Sequence, residues 1–250
     1  MKLALLSDIH ANVQALQACL AHARAQGAQR FALLGDLVGY GANPVAVMQQ
    51  VMQLHSEGAI VLKGNHDELA VRPGAGGNTL GHSTAAWTHA QLDAAQRAFL
   101  DALPLTVQED SLLLVHASAD HPERWCYVDD ARSATASLDA AGAWPAVRYV
   151  FGGHVHHQTL YYRGADRGLM QFRPTPGAAV PVPGHRHWIA TIGSVGQPRD
   201  GRTEAMYAVF DTAAAQLTFH RVAYDHQAAA AAIRRAGLPD YFAQRLGEGR

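Results

Sequence analysis

Five segments of the sequence carry Asp, Asn or His directly after a short apolar run. The five are Ser7-Asp8-Ile9-His10, Gly35-Asp36, Gly64-Asn65-His66-Asp67, Val115-His116 and Gly153-His154-Val155-His156. Carboxylate, amide and imidazole groups are ligands of divalent cations in proteins. Any one segment is weak evidence, because a Gly-Asp pair is usually a turn and an isolated histidine is usually a hydrogen-bonded core residue. Their occurrence in series predicts a metal site.

The elements before these segments explain how the side chains would meet. The apolar runs Lys2 to Leu6, Phe31 to Leu34 and Ala59 to Leu62 alternate with segments of helical periodicity. This alternation is typical of βαβ units, which form a parallel sheet. Ligands of such sheets bind beyond the carboxyl ends of the strands. The candidate ligands are therefore expected at one sheet edge, and the alternation of His154 and His156 points both side chains the same way.

The rest of the chain predicts the fold class. Residues 72–103 contain a Gly-rich loop and an alanine-rich stretch, expected to form two short helices with Asp93 capping the second. The later half is rich in candidate strands, interrupted by a predicted loop at residues 173–187 with four prolines, and Asp225 is expected to cap a last helix. We predict an α/β fold, a two-sheet β-sandwich flanked by helices. Residues 1–250 are expected to form one domain, with a helical insertion at about 72–103.

Composition narrows the function classes. The net charge is −1 and apolar residues make up 48% of the chain, so a sizeable core and no strong surface field are expected. A stable nucleic-acid complex is not expected, and neither is a membrane partner, since no apolar stretch reaches spanning length. The two cysteines indicate no disulfide framework. These features predict a cytoplasmic protein, and they do not indicate an oligomeric state.

Taken together, Asp8-x-His10, Gly35-Asp36, Gly64-Asn65-His66-Asp67, His116 and Gly153-His154-Val155-His156 resemble the motif set of the calcineurin-like metallophosphoesterases. The resemblance covers residues 2 to about 210. The strings at residues 7–12, 35–41 and 193–201 are similar to a bacterial and archaeal branch described as phosphodiesterases or diadenosine tetraphosphatase-like proteins. The resemblance implies an α-β-β-α fold and hydrolysis of phosphodiester or phosphoanhydride bonds in small nucleotide-type substrates.

The resemblance also implies a role for each residue. It assigns one metal to Asp8, His10 and His156, a second to Asn65, His116 and His154, and the bridge between them to Asp36. A metal-bridging hydroxide would be the nucleophile, and His66 would be the general acid. Asp67 either orients His66 or caps a helix beginning near Glu68. The donor set suits Mn²⁺, Fe or Zn²⁺, and Mn²⁺ is the ion we favour.

Substrate-binding residues are less well defined by the sequence. The branch usually has Asn-Pro before the loop at residues 193–201, where this chain has Thr191-Ile192. Ser194 and Arg199 in that loop are candidates for contacting substrate, the alternative being a surface turn. Arg186 and His187 are candidates for a cationic wall, the alternative being a solvated loop.

Two other functions fit the same fold. A phosphomonoesterase or protein phosphatase is one, but protein phosphatases of this superfamily have an arginine just after the second motif, where this chain has Gly39-Tyr40-Gly41. A non-catalytic scaffold is the other. The presence of His66 together with all seven candidate ligands argues against it.

Overall fold

The computed structural model describes residues 1–74, 80–164 and 168–250, without the side chains of residues 80–83. Within these ranges the strands are β1 (Lys2–Leu6), β2 (Arg30–Leu33), β3 (Ile60–Val61), β4 (Thr106–Glu109), β5 (Leu112–Val115), β6 (Tyr149–Gly152), β7 (Gln158–Arg163), β8 (Leu169–Phe172), β9 (Ala179–Pro181), β10 (His187–Ile192), β11 (Ala205–Asp211) and β12 (Gln216–Val222). The α-helices are α1 (Val13–Ala25), α2 (Pro44–Ser56), α3 (Asn65–Val71), α4 (Leu80–Gln91), α5 (Ala94–Ala102), α6 (Ala131–Ala141), α7 (His226–Arg235) and α8 (Asp240–Glu248).

The described strands form two mixed sheets of six. The first has the order β3-β2-β1-β11-β12-β9, in which β1, β2 and β3 are parallel and the other neighbours pair antiparallel. The second has the order β4-β5-β6-β10-β7-β8, in which β5, β6 and β10 are parallel. Both sheets thus contain a block of three parallel strands, and the candidate ligands follow strands of these blocks.

The two sheets pack face to face, with helices on the outside. Leu3 and Leu5 of β1 contact the inter-sheet core that also holds Phe151 and Phe210. The alternate residues Ala4 and Leu6 face the helix layer formed by α1 and α2. Helix α6 covers the outer face of the second sheet through residues such as Leu138. The predicted fold class, a two-sheet sandwich flanked by helices, is confirmed.

Local sequence signals set most helix boundaries. Asn12, Asp93, Asp130 and Asp225 each accept a backbone N–H three residues later and so cap α1, α5, α6 and α7. The predicted break and cap at Asp93 are thus present between α4 and α5. Part of the predicted Gly-rich loop, residues 75–79, lies outside the described residues. That residues 1–250 form one folding domain remains a prediction.

Three local predictions were wrong. The segment 173–187 is not all loop, because β9 lies within it and pairs with β12. Helix α3 begins at Asn65 and not near Glu68, since Gly64 is its N-cap. A second C-terminal helix, α8, follows α7 after a short turn. No helix among the described residues is long and apolar enough to cross a membrane.

Candidate metal centre

The first group of candidate ligands joins the loop after β1 to the loop after β6. Asp8, His10 and His156 are all buried, and their ligand atoms lie within 4.8 Å of one another. His156 Nε2 is 3.1 Å from Asp8 Oδ1 and 3.1 Å from His10 Nε2. Two motifs separated by about half the chain therefore converge into one cluster with the geometry of a three-ligand metal site.

The second group contains Asp36, His116 and His154, again buried and within 4.8 Å of one another. His116 Nε2 lies 3.4 Å from Asp36 Oδ2 and 3.2 Å from the side-chain oxygen of Asn65. Asn65, the first residue of α3, therefore lies beside this group as the motif predicted.

Asp36 lies between the two groups. Its Oδ2 atom is 3.4 Å from His116 Nε2 and 3.7 Å from His10 Nε2. A single carboxylate oxygen thus faces histidines of both groups. This is the position that a carboxylate shared by two cations would occupy.

Backbone carbonyls set the orientation of three histidines. The Nδ1 atoms of His10, His116 and His156 lie 3.4, 2.7 and 2.6 Å from the carbonyl oxygens of Val38, Leu34 and Gln197. Nδ1–H donation to a carbonyl leaves Nε2 as the atom with a free lone pair. The three Nε2 lone pairs then face the centre, which is the usual arrangement of a metal-binding histidine and its supporting acceptor.

The centre lacks donors to match its acceptors. Asp8 Oδ1 is buried and has no hydrogen-bond donor among the described residues. His10 Nε2 and His156 Nε2 approach to 3.1 Å although each is oriented as an acceptor. Buried acceptors without a donor destabilise the folded state unless a cation or a proton lies between them. The residues therefore fit divalent cations, and the all-N/O donor set fits Mn²⁺, Fe or Zn²⁺.

Backbone conformation is strained at the same positions. Asp8, His10, Asp36, His154 and His156 all have φ between +48° and +67°, the left-handed region that non-glycine residues avoid. Each such residue costs on the order of 1–3 kcal/mol. Five of the seven candidate ligands share this strain, as expected where packing forces side chains toward a functional centre.

Burial and charge prepare these groups for cations. Burial lowers the pKa of His10 and His156, and it lowers the pKa of His154 to about 4, so these rings are neutral near pH 7. Burial opposes ionisation of Asp36, but His116 and His66 hold the pKa of that carboxyl well below its usual range. Neutral imidazoles and an ionised carboxylate are the protonation states in which such groups bind metal. His116 differs: burial opposes its charge, but Asp36 raises its pKa to about 9, so a cation has to displace its proton.

His66 is beside the candidate ligands. It is 7% exposed, and its ring centroid lies 5.1 Å from that of His10 and 4.3 Å from that of Tyr40. None of the described contacts makes it a member of either three-residue group. A histidine that lies next to the centre without entering it can exchange a proton with a bound substrate.

Asp67 takes the second of its two predicted roles. Its Oδ2 accepts the Gly64 N–H at 2.8 Å, which caps α3, and its Oδ1 accepts the N–H groups of Leu37 and Val38 at 2.9 and 3.2 Å. The carboxyl is fully buried. Asp67 thus ties α3 to the Asp36 loop through backbone donors, and a part for it in catalysis remains a prediction.

The four candidate substrate-binding residues do not lie together in the structure. Ser194 is fully buried, donates to the Asp8 carbonyl at 2.8 Å and accepts the Gln197 N–H at 2.8 Å, so it positions Asp8 and does not reach substrate. Arg199 lies at the site, with its guanidinium beside the Tyr40 hydroxyl. Arg186 and His187 lie at the start of β10, roughly 17 Å along the strand from its end at Ile192. Their prediction as a wall of this site is corrected.

Sequence reasoning missed the aromatic residues around the centre. Tyr127 is 51% exposed and stacks on His154 with a centroid distance of 4.2 Å. Trp125 lies edge-on to His116 at 5.7 Å. The segment around residues 120–128 has no periodic pattern or motif that would have indicated this placement.

Comparisons with known proteins agree with this geometry. The chain is 33% identical to a metallophosphoesterase from Sphaerobacter thermophilus, with a TM-score of 0.86, over 100% of this chain and 99% of the other. It is 30% identical to an uncharacterized protein of Methanocaldococcus jannaschii over 99% of this chain and 98% of the relative. A hypothetical protein from Pyrococcus horikoshii, 18% identical, shares the fold with a TM-score of 0.78, over 100% of this chain and 98% of the other.

The match to a family profile agrees with these relatives and with the geometry of the two ligand groups. The calcineurin-like phosphoesterase superfamily domain matches residues 1–215, a range that includes both three-residue groups and the loop that supports them. The chain belongs to the calcineurin-like phosphoesterase superfamily.

Proposed function

We propose that this protein is a binuclear-metal-dependent phosphoesterase that hydrolyses phosphodiester or phosphoanhydride bonds of small nucleotide-type substrates. The observation that carries the proposal is the position of Asp36, whose Oδ2 faces His10 of one group and His116 of the other. A pair of separate mononuclear sites would not need a shared carboxylate. The assignment gives Asp8, His10 and His156 to one ion, Asn65, His116 and His154 to the other, and Asp36 to both.

Two divalent cations held there, Mn²⁺ being favoured, would supply Lewis-acid activation of water and neutralise the charge on the phosphate. The chain's own contribution is orientation. Oδ2 of Asp8 accepts the His154 N–H at 2.8 Å, and Oδ1 of Asp36 accepts the His66 N–H at 2.8 Å. Each carboxylate thus has one oxygen held by the backbone and presents the other to the centre, so little reorganisation is needed on binding.

His66 is the proposed general acid. Burial lowers its pKa, so the ring has to take up a proton before it can act as an acid. Its ring lies within contact distance of Tyr40 and His10, at the rim of the cluster. From this position it would protonate the leaving oxygen of a bound ester.

A phosphomonoesterase is the second candidate. Sequence favoured a diesterase because the segment after the second motif has no arginine to hold a doubly charged monoester. Arg199, however, reaches the Tyr40 hydroxyl from the loop at residues 193–201 and supplies a positive charge at this rim. Its presence is the specific observation that keeps the monoesterase candidate under test.

The proposal is tested by a substrate panel with the Mn²⁺-loaded protein. The panel compares bis-p-nitrophenyl phosphate, p-nitrophenyl phosphate, cyclic nucleotides and dinucleoside polyphosphates by kcat/KM in one buffer. We expect diester or anhydride substrates to exceed p-nitrophenyl phosphate. A clear preference for the monoester would replace the diesterase assignment, and no hydrolysis of any compound would reject the catalytic proposal.

A further inference from the structure

The C-terminal helix reaches the candidate site, although it lies beyond the segment matched by the family profile. Phe242 of α8 is fully buried, and its ring centroid is 4.9 Å from that of Tyr40. Tyr40 in turn contacts His66 at 4.3 Å and His10 at 4.6 Å. Helix α8 is therefore separated from the candidate metal centre by one aromatic ring.

Two guanidinium groups share one acceptor at this position. Arg199 Nη2 and Arg245 Nη1 lie 2.8 and 3.4 Å from the side-chain oxygen of Gln197. Gln197 is 2% exposed, and its backbone carbonyl is the acceptor for His156 Nδ1. The residue that orients a candidate metal ligand therefore also holds both arginines beside that ligand.

No acidic side chain in the part of the chain that the structure describes pairs with these two arginines. Among the described residues, neither Arg199 nor Arg245 makes an ion pair with an Asp or Glu side chain, whereas Arg221 and Arg202 nearby pair with Asp200 and Glu204. The shared Gln197 oxygen is neutral, and Arg245 has a second acceptor in the main-chain oxygen of Arg250, the last residue, whereas both guanidinium groups remain half-buried and close to each other. Burial, and then the charge of Arg199, lowers the pKa of Arg245. An anion bound between the two guanidinium groups would remove this repulsion.

Arg245 also has contacts within its own helix. Its Nε donates to the Arg250 carbonyl, and its guanidinium lies 5.2 Å from the Tyr241 ring centroid. The competing role is a structural one, in which Arg245 only secures the end of α8. A structural role of that kind predicts a change in stability without a change in anion binding.

We propose that Arg199 and Arg245 form an anion site at the rim of the metal centre, which binds a phosphoryl group on the leaving-group side of the substrate. The inference rests on the proposed function for the identity of the substrate, but not for the anion site itself. The Arg199 guanidinium lies beside the Tyr40 hydroxyl and the ring of His66, the proposed acid, contacts the Tyr40 ring, so the proposed anion site would lie on the side from which the leaving group departs. Planar guanidinium groups bind phosphoryl oxygens through paired hydrogen bonds. Within the proposed range of substrates, this favours a phosphoanhydride over a simple diester.

The first test uses binding and needs no catalysis. The full-length protein is stripped of metal with a chelator, and its Tm is followed during titration with inorganic pyrophosphate. The variants are R199Q, R245Q and R245K, and R235Q is the matched control, because Arg235 is exposed on α7 and carries the same charge. We expect R199Q and R245Q to weaken pyrophosphate binding about 10-fold or more, R245K to weaken it less, and R235Q to match the wild type.

Unchanged pyrophosphate binding in R199Q and R245Q would overturn the proposal, as would an equal loss in R235Q. If R245Q does not fold, R199Q and R245K decide the outcome by the same criterion. A fall in the ligand-free Tm of R245Q with wild-type binding would assign Arg245 a structural role only.

The second test uses the Mn²⁺-loaded protein and separates this proposal from the proposed function. R245Q should raise KM for a dinucleoside polyphosphate about 10-fold or more while leaving KM for bis-p-nitrophenyl phosphate within about twofold. An equal rise for both substrates would contradict an anion site on the leaving-group side. Loss of all hydrolysis in the wild type, with pyrophosphate binding retained, would reject the catalytic function and keep the anion site.

Discussion

The backbone N–H of His66 donates a hydrogen bond to Oδ1 of Asp36 at 2.8 Å. This bond joins the first turn of α3 to the loop after β2 and leaves Oδ2 of Asp36 facing His10 and His116. The same residue places its imidazole beside Tyr40 at the rim of the centre. His66 therefore links the orientation of the proposed bridging carboxylate to the position of the proposed acid.

The side chain of His66 can be tested separately from its backbone. H66Q keeps the N–H that holds Asp36, so metal content should stay near the wild-type level. The kcat should fall about 10²–10⁴-fold for an ester with an alkyl alcohol as its leaving group. The fall should be much smaller for a nitrophenyl ester, whose leaving group needs little protonation. Equal losses on the two esters would mean that His66 positions phosphate and does not donate a proton.

A substitution at Gly39 provides a second test, which concerns the position of the His66 ring. It has φ +91°, and a methyl group there would lie 2.9 Å from His66 Nδ1. Gly58 is the matched control, because it has φ +97° and nothing within 4 Å of the added carbon. Both G39A and G58A should lose about 1–2 kcal/mol of folding free energy from the left-handed backbone.

Only G39A should lower kcat on the alkyl ester, since only it displaces the His66 ring. The measurement is kcat for each variant, with unfolding by denaturant to confirm the shared loss of stability. Wild-type kcat in G39A would show that the position of His66 is not limiting.

A histidine away from the centre predicts a pH dependence of stability. Burial, and then the nearby charges of His22 and Lys2, lowers the pKa of His220 to about 4, and its ring stacks on Tyr207 at 4.9 Å. The unfolded chain has an ordinary histidine pKa near 6.5 and so binds more protons than the folded chain between about pH 4 and 6.5. The contribution of His220 is complete above about pH 6.5 and is lost as the pH falls toward 4.

The H220F variant keeps an aromatic ring stacked on Tyr207 and removes the titratable imidazole. In metal-free protein, its free energy of unfolding should therefore decline less steeply than that of the wild type between about pH 6.5 and 4.5. Chemical denaturation at a series of pH values measures the two slopes. Identical slopes in the two proteins would contradict the lowered pKa.

The sequence predicted the parts of the molecule that depend on local pattern. Apolar runs ending in Asp or His identified β1 and β2 of the first sheet, β5 of the second sheet and the candidate ligands, because ligands collect beyond the carboxyl ends of parallel strands. The cap residues Asp93 and Asp225 were visible as single side chains before helical segments. These signals involve few residues close in sequence.

What the sequence did not predict depends on long-range packing. Arg186 and His187 looked like site residues because they precede Ser194 by only a few positions, yet β10 is extended and carries them to its opposite end. Arg245 is 48 residues from Gln197 along the chain, and only the packing of α8 brings the two together. Ser194 and Asp67 looked like functional side chains. Both are buried, and both make hydrogen bonds with backbone groups that position candidate ligands.

The removal of one oxygen tests the proposed bridge. D36N keeps the size of the side chain but removes the charge that both groups of histidines face. We expect it to lose both metals or to hold at most one, with kcat/KM reduced at least about 10²-fold because metal ions contribute several kcal/mol to transition-state stabilisation. D139N, a substitution of an exposed carboxylate on α6, is the control and should keep wild-type metal content. A D36N variant with two metals and full activity would remove the bridging role.

We propose that the seven candidate ligands hold two cations at one centre. The most direct measurement is the metal content of the purified wild-type protein after metal stripping and refilling with Mn²⁺, determined by elemental analysis alongside activity. The protein is expected to approach two equivalents of Mn²⁺ per chain, and activity should follow occupancy of the second ion. Full activity with one equivalent or none would contradict the proposal.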